Sequence, residues 1–273
     1  MLGAIIGDIV GSRFEFKGFK SKEFRFFTGD CVATDDSFMT LAIAKALVIC
    51  KDWSDVESLK QTVIREMKEI ASAHRFTGWG AHFYKWLFVS STPYNSYGNG
   101  AGMRVSPVGW VAESEEEVKI LSRAVTEISH NHPEGLKGAE AIAMAVFLAR
   151  TGKDKEYIKK RMAEYYPLII SMAVDTIRPN YCIDDLGEWV TCQGSVPQSI
   201  VCFLESESFE DAVRNAISLG GDADTMGCLA GAIAEAYYGV SIEMEDKALE
   251  YLTDDLKSAY YAFNTIKRPR VSR

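Results

Sequence analysis

The sequence has few cysteines, no excess of positive charge and no hydrophobic stretch long enough to cross a membrane. Its six cysteines show no C-x-x-C spacing, which argues against a zinc site or a disulfide framework and favours small core residues in a reducing compartment. The net charge of −8 argues against a generic nucleic-acid or anionic-membrane surface, which needs clustered Lys and Arg. The apolar opening segment contains Asp8, lacks a positive leader and is far too short to span a bilayer. We therefore expect a cytoplasmic protein without a membrane partner.

Alternating runs of β-branched residues, which indicate strands, are almost absent as well. Helical patterns follow one another instead, such as the amphipathic segment 56–73. No repeat or low-complexity linker divides the 273 residues, which are enough to bury one sizeable core. The sequence therefore predicts a single all-α domain of orthogonally packed helices over residues 1–266, with a short, frayed basic tail over 267–273. We expect this domain to be a monomer.

The stretch 220–239, GGDADTMGCLAGAIAEAYYG, places two carboxylates at the start of a helix built mostly from small residues. Gly227 and Gly231 share one face of that helix and allow another backbone to approach closely. Asp222 and Asp224 could simply cap the helix, since Asp accepts its unpaired N–H groups. In a deeply buried helix, however, such carboxylates are costly unless a cation compensates them.

A second acidic helix start precedes the apolar run FMTLAIAKALVIC. Thr34 is a good N-cap candidate, and Asp35 and Asp36 suit the first turn, so capping alone is one interpretation. Capping needs one oxygen acceptor at each helix, whereas the two helix starts together supply four carboxylates. Hard oxygen ligands suit magnesium or manganese, and no Cys/His cluster offers a zinc site. Two acidic helix starts therefore favour a shared metal site.

The opening segment carries glycine at every fourth position, at Gly3, Gly7 and Gly11. This stripe predicts a tightly packed, buried first helix. Packing does not explain the two nearby acids, Asp8 and Glu15. An aromatic and basic segment follows, for which poor periodicity predicts a long ordered loop.

The segment SYGNGAGMRVSP has alternating glycines at Gly98, Gly100 and Gly102 and is too flexible for a regular element. Such glycines let backbone N–H groups approach an anion, and a diphosphate is a reasonable guest. The segment lacks the Lys-Ser/Thr ending of a P-loop. His130 and His132 lie at a helix break, where a histidine is more often a dipole partner or a packed residue than a catalyst.

Several motifs in order resemble those of the ADP-ribosylglycohydrolases. They are GAIIGDIVGS, TDDS, the GWG segment with Trp86, SYGNGAGMRVSP, SHNHPEG and SLGGDADTMGCLAGAIAEAYYG, and they extend to about Gly239. The resemblance implies an all-helical hydrolase that holds two Mg²⁺ or Mn²⁺ ions between two acidic helix starts. It also implies cleavage of the N- or O-glycosidic bond between ADP-ribose and a modified acceptor, such as an ADP-ribosylated protein, with ADP-ribose as product.

Motif by motif, the resemblance also assigns residues. The implied metal ligands are oxygen donors from the two helix starts: Thr34, Asp35, Asp36, Asp222, Asp224 and Thr225. The implied catalytic residues are the carboxylates among them together with a glutamate of the opening loop: Glu15, Asp35, Asp36, Asp222 and Asp224. The implied substrate contacts, with the diphosphate on 96–100 and the ribose or phosphate near His130, are Ser96, Tyr97, Gly98, Asn99, Gly100, Met103 and His130.

Two other functions remain open at this point. One is a non-catalytic ADP-ribose-binding or structural relative, and the other is a metal-dependent nucleotide phosphohydrolase. The acceptor linkage is not determined either. The loops 19–27 and 178–194 are our candidates for the surface that reads it.

Overall fold

The computed structural model describes residues 1–75, 78–183 and 187–271, and every regular element in these ranges is a helix. This confirms the all-α prediction. The helices are α1 (Leu2–Ser12), α2 (Asp35–Ile49), α3 (Val56–Ala73), α4 (Ala81–Phe88), α5 (Gly100–Met103), α6 (Ser106–Val111), α7 (Glu115–Glu127), α8 (Pro133–Arg150), α9 (Lys155–Met162), α10 (Pro167–Ile170), α11 (Val174–Asn180), a 3₁₀ turn (Glu188–Val190), α12 (Cys192–Leu204), α13 (Phe209–Ile217), α14 (Ala223–Tyr238), α15 (Ile242–Leu249) and α16 (Asp254–Asn264). None of these helices is long and apolar enough to cross a bilayer.

The centre of the fold is a backbone-to-backbone contact between α1 and α14. A Cβ atom built on Gly7 would lie 2.0 Å from the carbonyl oxygen of Gly227, and one on Gly3 would lie 2.2 Å from that of Gly231. Both distances are far below any tolerated contact, so only glycine fits. The predicted close approach on this face of α14 is thus confirmed. The pairing runs antiparallel, which brings the end of α1 to the start of α14.

The aromatic segment after α1 forms the long irregular loop predicted from its sequence. It is held by Arg214 of α13, whose Nη1 donates to the carbonyl oxygens of Lys22 and Phe24, both at 2.8 Å. The same guanidinium lies 4.6 Å from the centroid of the Phe24 ring. A cation that bonds backbone and ring together orders a loop that has no helix of its own.

The chain after Pro167 forms two short helices, and the second begins at Val174, whose N–H donates to Glu205 Oε2 at 2.9 Å. The prediction that the glycine-rich segment is too flexible for a regular element was wrong, because it contains the one-turn helix α5. It is fixed there because the N–H of Asn99 donates to the Val190 carbonyl at 2.9 Å.

The C-terminal residues 267–271 pack against the domain, so the prediction of a frayed tail was wrong. Lys267 Nζ lies 2.7 Å from Glu235 Oε1 and 3.8 Å from the centroid of the Trp110 ring. The N–H of Arg268 donates to the carbonyl oxygen of Trp110 at 3.1 Å. An ion pair, a cation–π contact and a backbone hydrogen bond therefore hold the segment in place.

The glycine contact between α1 and α14 makes a stability prediction. Gly7→Ala should lower the free energy of unfolding by about 2 kcal/mol or more, because the added methyl group overlaps the Gly227 backbone. Gly29→Ala is the matched control, since a Cβ there meets no atom within 4 Å. Urea unfolding followed by circular dichroism measures both. Equal midpoints for Gly7→Ala and the parent protein would contradict the packing described.

Candidate active site: an acidic cleft between two helix starts

A cavity of about 390 Å³ opens where the first turns of α2 and α14 meet the glycine-rich segment. Every residue assigned to the site from the sequence lines this cavity, except Thr34 and Tyr97. Residues that are far apart in the chain are therefore brought together around one cavity.

Asp8 of α1 holds the start of α2 in place. Its carboxylate accepts the N–H of Thr34 at 2.9 Å, the N–H of Ser37 at 3.1 Å and the hydroxyl of Thr34 at 2.6 Å. The hydroxyl of Ser37 donates to it as well. Asp8 is completely buried and thus caps α2 from a neighbouring helix. Thr34 is occupied by this contact and accepts the N–H of Asp36 as the N-cap, which accounts for its position outside the cavity lining.

Asp36 has a buried oxygen without a partner. Its Oδ2 accepts from the hydroxyl of Thr225 at 3.4 Å, whereas Oδ1 has no hydrogen-bond donor in the described part of the chain. A buried, unpaired carboxylate oxygen is unfavourable unless another group compensates it. This oxygen is the type of ligand that a hard divalent cation uses. The donor set therefore fits a metal ion.

The carboxylates form two groups that share one member. Oxygens of Asp8, Asp36 and Asp224 all lie within 4.8 Å of one another, and so do oxygens of Glu15, Asp222 and Asp224. Asp224 belongs to both groups, so the two groups of carboxylates lie side by side. These groups were identified among residues 1–75, 78–183 and 187–271. Asp35 lines the same cavity but belongs to neither group.

Burial shifts the titration of these acids upwards. Loss of hydration raises the pKa of Glu15 and of Asp35 to about 7, and neighbouring carboxylates add to the shift. Burial likewise raises the pKa of Asp36 and of Asp224 well above the ordinary range, again with support from nearby negative charge. The cluster therefore resists full ionisation when no cation is bound.

Asn99 connects the glycine-rich segment to the acidic side. Its Nδ2 donates to Asp222 Oδ2 at 2.7 Å and to the hydroxyl of Ser195 at 3.1 Å. Nearby, the N–H of Gly98 donates to the hydroxyl of Ser96 at 3.2 Å. The amide of Asn99 thus fixes the distance between the glycine backbone and the carboxylates.

The two histidines of the helix break differ in their placement. His130 is 4% exposed and lines the cavity, whereas His132 accepts the N–H of Glu134 at 3.1 Å and caps α8. Tyr97 is 44% exposed, and its ring packs against His132 with centroids 5.0 Å apart. The structure therefore does not bring the Tyr97 ring into the cavity.

Two features of the cavity wall had no assigned role in the sequence analysis. Arg104 is fully buried and lines the cavity. In the sequence, this position is marked by nothing more than a single cation within an apolar and glycine-rich run. Phe16 lines the rim with a left-handed backbone, φ 60°, and its ring lies 5.4 Å from that of Trp189. Of the two loops expected to read the acceptor, 178–194 therefore reaches the cavity through Trp189 and Val190, whereas no residue of 19–27 lines it.

An all-helical domain with clustered carboxylates at the base of a cleft is an arrangement that suits a hydrolase. The sequence model of the ADP-ribosylglycohydrolase family matches residues 1–265, and the chain therefore belongs to that family. This confirms the resemblance read from the motifs. Family membership makes the chain an enzyme that hydrolyses ADP-ribosyl linkages.

Individual relatives agree with this assignment. ADP-ribosylhydrolase ARH3 of Homo sapiens is 26% identical over 88% of this chain and 84% of its own. ADP-ribosylarginine hydrolase Tri1 of Pseudomonas putida is 26% identical over 88% of this chain and 70% of its own. A solved structure described as an ADP-ribosylglycohydrolase-related protein complex has a TM-score of 0.62 at 20% identity, covering 97% of this chain and 96% of that one. The last likeness concerns the fold alone.

The raised carboxyl pKa values predict how stability depends on pH in chelator-treated protein. Between the unfolded and folded pKa values the folded state binds more protons, so the free energy of unfolding should rise as the pH is lowered from about 7.5 to about 5.5. Glu15→Gln should flatten this dependence, whereas Glu23→Gln on the exposed loop surface should not. Urea unfolding at each pH in the presence of EDTA makes the measurement. Stability that falls on acidification over this range, in parent and variants alike, would refute the electrostatic description.

Proposed function

We propose that the protein releases ADP-ribose from a modified acceptor by using two divalent cations, Mg²⁺ or Mn²⁺, held between the starts of α2 and α14. The observation that carries the proposal is the pair of carboxylate groups that share Asp224. A single cap or ion pair would not need five acids in one buried cluster. Two cations would match both groups and would offset their mutual repulsion.

The residues that would hold the cations are those whose carboxylate oxygens lie close together. Asp8, Asp36 and Asp224 would serve one ion, and Glu15, Asp222 and Asp224 the other. The unpaired Oδ1 of Asp36 supports this arrangement. Both groups consist of carboxylates only, which favours magnesium or manganese over zinc.

Cations bound in this cleft would supply Lewis acidity to the ribose hydroxyl groups and would lower the pKa of a bound water. The remaining roles would fall to side chains of the protein. Asp35 faces the cavity outside both carboxylate groups, so it is placed to accept a proton from the attacking water. Asn99 keeps Asp222 oriented through its 2.7 Å hydrogen bond. The acids thus act on the ribose end of the substrate.

The opposite wall would bind the diphosphate of ADP-ribose. Ser96, Gly98 and Gly100 line the cavity there, and the glycines expose backbone to a ligand. Arg104 contributes a positive charge to the same wall. The acceptor would leave through the rim at Phe16. ADP-ribosylated proteins and other ADP-ribosylated molecules are the acceptors that this arrangement would serve, with the chain acting as a monomer in the cytoplasm.

The function is tested by incubating the protein with arginine-, serine- and nucleic-acid-linked ADP-ribose, with Mg²⁺, with Mn²⁺ or with EDTA. Free ADP-ribose should appear only with a divalent cation, and the productive linkage identifies the acceptor. Asp224→Asn should lower the rate by about 100-fold or more, since it removes the carboxylate common to both groups. Chromatography of the released nucleotide is the readout.

Asp154→Asn is the matched control, because Asp154 caps α9 away from the cleft and Asn caps a helix equally well. Its rate should equal that of the parent protein. ADP-ribose binding without release from any linkage would replace the proposal with a non-catalytic relative. Release of inorganic phosphate in place of ADP-ribose would replace it with a phosphohydrolase.

A further inference from the structure

We infer that Arg104 and Ser129 hold His130 as a neutral imidazole with its proton on Nε2, so that the ring donates a hydrogen bond to a ligand oxygen in the cleft. Arg104 and Ser129 are then positioning residues. His130 becomes a binding residue without an acid or base role. The identity of the ligand rests on the proposed function, whereas the state of the ring does not.

The contacts at Nδ1 determine where the proton resides. Nη2 of Arg104 lies 3.2 Å from Nδ1 of His130, and the hydroxyl oxygen of Ser129 lies 2.9 Å from the same atom. A guanidinium has only donors, so Nδ1 must act as the acceptor. Nη2 also donates to the Ser129 hydroxyl at 2.7 Å, which leaves the hydroxyl proton free to point at Nδ1. The guanidinium therefore requires an unprotonated Nδ1, and the Ser129 hydroxyl can donate to the same atom.

The surroundings also oppose a second proton on the ring. Arg104 and Ser129 are completely buried and His130 is nearly so, which leaves little water to solvate an imidazolium. Burial and the adjacent guanidinium lower the pKa of His130 well below its ordinary value. The guanidinium keeps its charge at neutral pH, since its own pKa falls only to about 10.

Arg104 is itself held by an aromatic face. Its guanidinium carbon lies 5.3 Å from the centroid of the Phe83 ring, while its Nε and Nη1 have no acceptor in the described part of the chain. Buried N–H groups without acceptors are unfavourable. The protein keeps Nε–H and Nη1–H of Arg104 in this unfavourable state, while Nη2 donates to His130 and Ser129. This combination indicates that Arg104 has a role beyond packing.

The other ring nitrogen faces the ligand wall. A Cβ atom built on Gly100 would lie 3.2 Å from Nε2 of His130, and one on Gly98 would lie 3.7 Å from it. Within residues 1–75, 78–183 and 187–271, no protein acceptor bonds Nε2. The Nε2–H group therefore points to the region where a diphosphate or ribose oxygen would lie.

The state of the ring is measured directly by nitrogen-15 NMR of histidine-labelled protein without metal or ligand. The chain has four histidines, and the spectrum of His130→Gln identifies the His130 signals. The expected result is a protonated Nε2 and a bare Nδ1, unchanged from about pH 8 to about pH 6. A protonated Nδ1, or an imidazolium within this range, would overturn the inference.

Variants then test the role of the neighbours. Arg104→Met should allow the Nδ1–H tautomer to appear and should bring the titration of His130 closer to its ordinary range. Ser122→Ala is the control, because Ser122 is a buried serine that donates to the Lys119 carbonyl of its own helix, and it should leave the His130 signals unchanged. An unchanged tautomer in Arg104→Met would exclude Arg104 as the positioning residue. If that variant does not fold, the parent spectrum alone still decides the tautomer.

The donor role is tested with ADP-ribose in a calorimetric titration. His130→Gln keeps an N–H group near the position of Nε2 and should bind within about threefold of the parent, whereas His130→Ala should bind about tenfold more weakly. Equal weakening in both variants would overturn the donor role. No ADP-ribose binding by the parent protein would overturn the proposed ligand, and the NMR result would still decide the state of the ring.

Discussion

The site depends on one steric constraint, the backbone contact between α1 and α14. Three positions of α1 meet α14 without room for a side chain, and at the last of them a Cβ on Gly11 would lie 2.4 Å from the carbonyl oxygen of Ala223. This antiparallel contact places the end of α1 against the start of α14. Asp8 and Glu15 consequently lie beside Asp224. Larger residues in the stripe would separate the two halves of the carboxylate cluster.

The same contact also brings buried carboxylates so close together that they repel one another. Carboxylates that are buried and close together hold their protons up to a pH near 7 or above, as the pKa values of Glu15 and Asp35 show. The surrounding hydrogen bonds relieve only part of this strain, because one oxygen of Asp36 has no donor in the part of the chain described. The buried carboxylates thus lower stability locally, which is the usual pattern at functional sites.

Much of the fold and of the acidic cleft could be predicted because the signals are local. Helical periodicity, the glycine stripe at Gly3 and Gly7 and the cap at Thr34 each occupy a few neighbouring residues. The role of Asp8 could not be predicted in the same way, because it caps a helix 26 residues further along the chain. Only tertiary packing shows such a contact.

The same limit applies to the glycine-rich side of the cavity. Arg104 has no sequence signature that connects it to His130, and the outward ring of Tyr97 follows from its packing on His132. The ordered segment 267–271 depends on acceptors from distant helices, so its basic composition alone was misleading. Local patterns therefore located the chemistry, whereas side-chain orientation required the structure.

The most direct test of the central claim is anomalous diffraction from crystals grown with Mn²⁺. The account predicts two anomalous peaks between the first turns of α2 and α14, one beside Asp36 and one beside Asp222, with Asp224 contacting both. A single peak, or peaks away from these carboxylates, would contradict the proposal that the α1–α14 contact builds a two-cation centre.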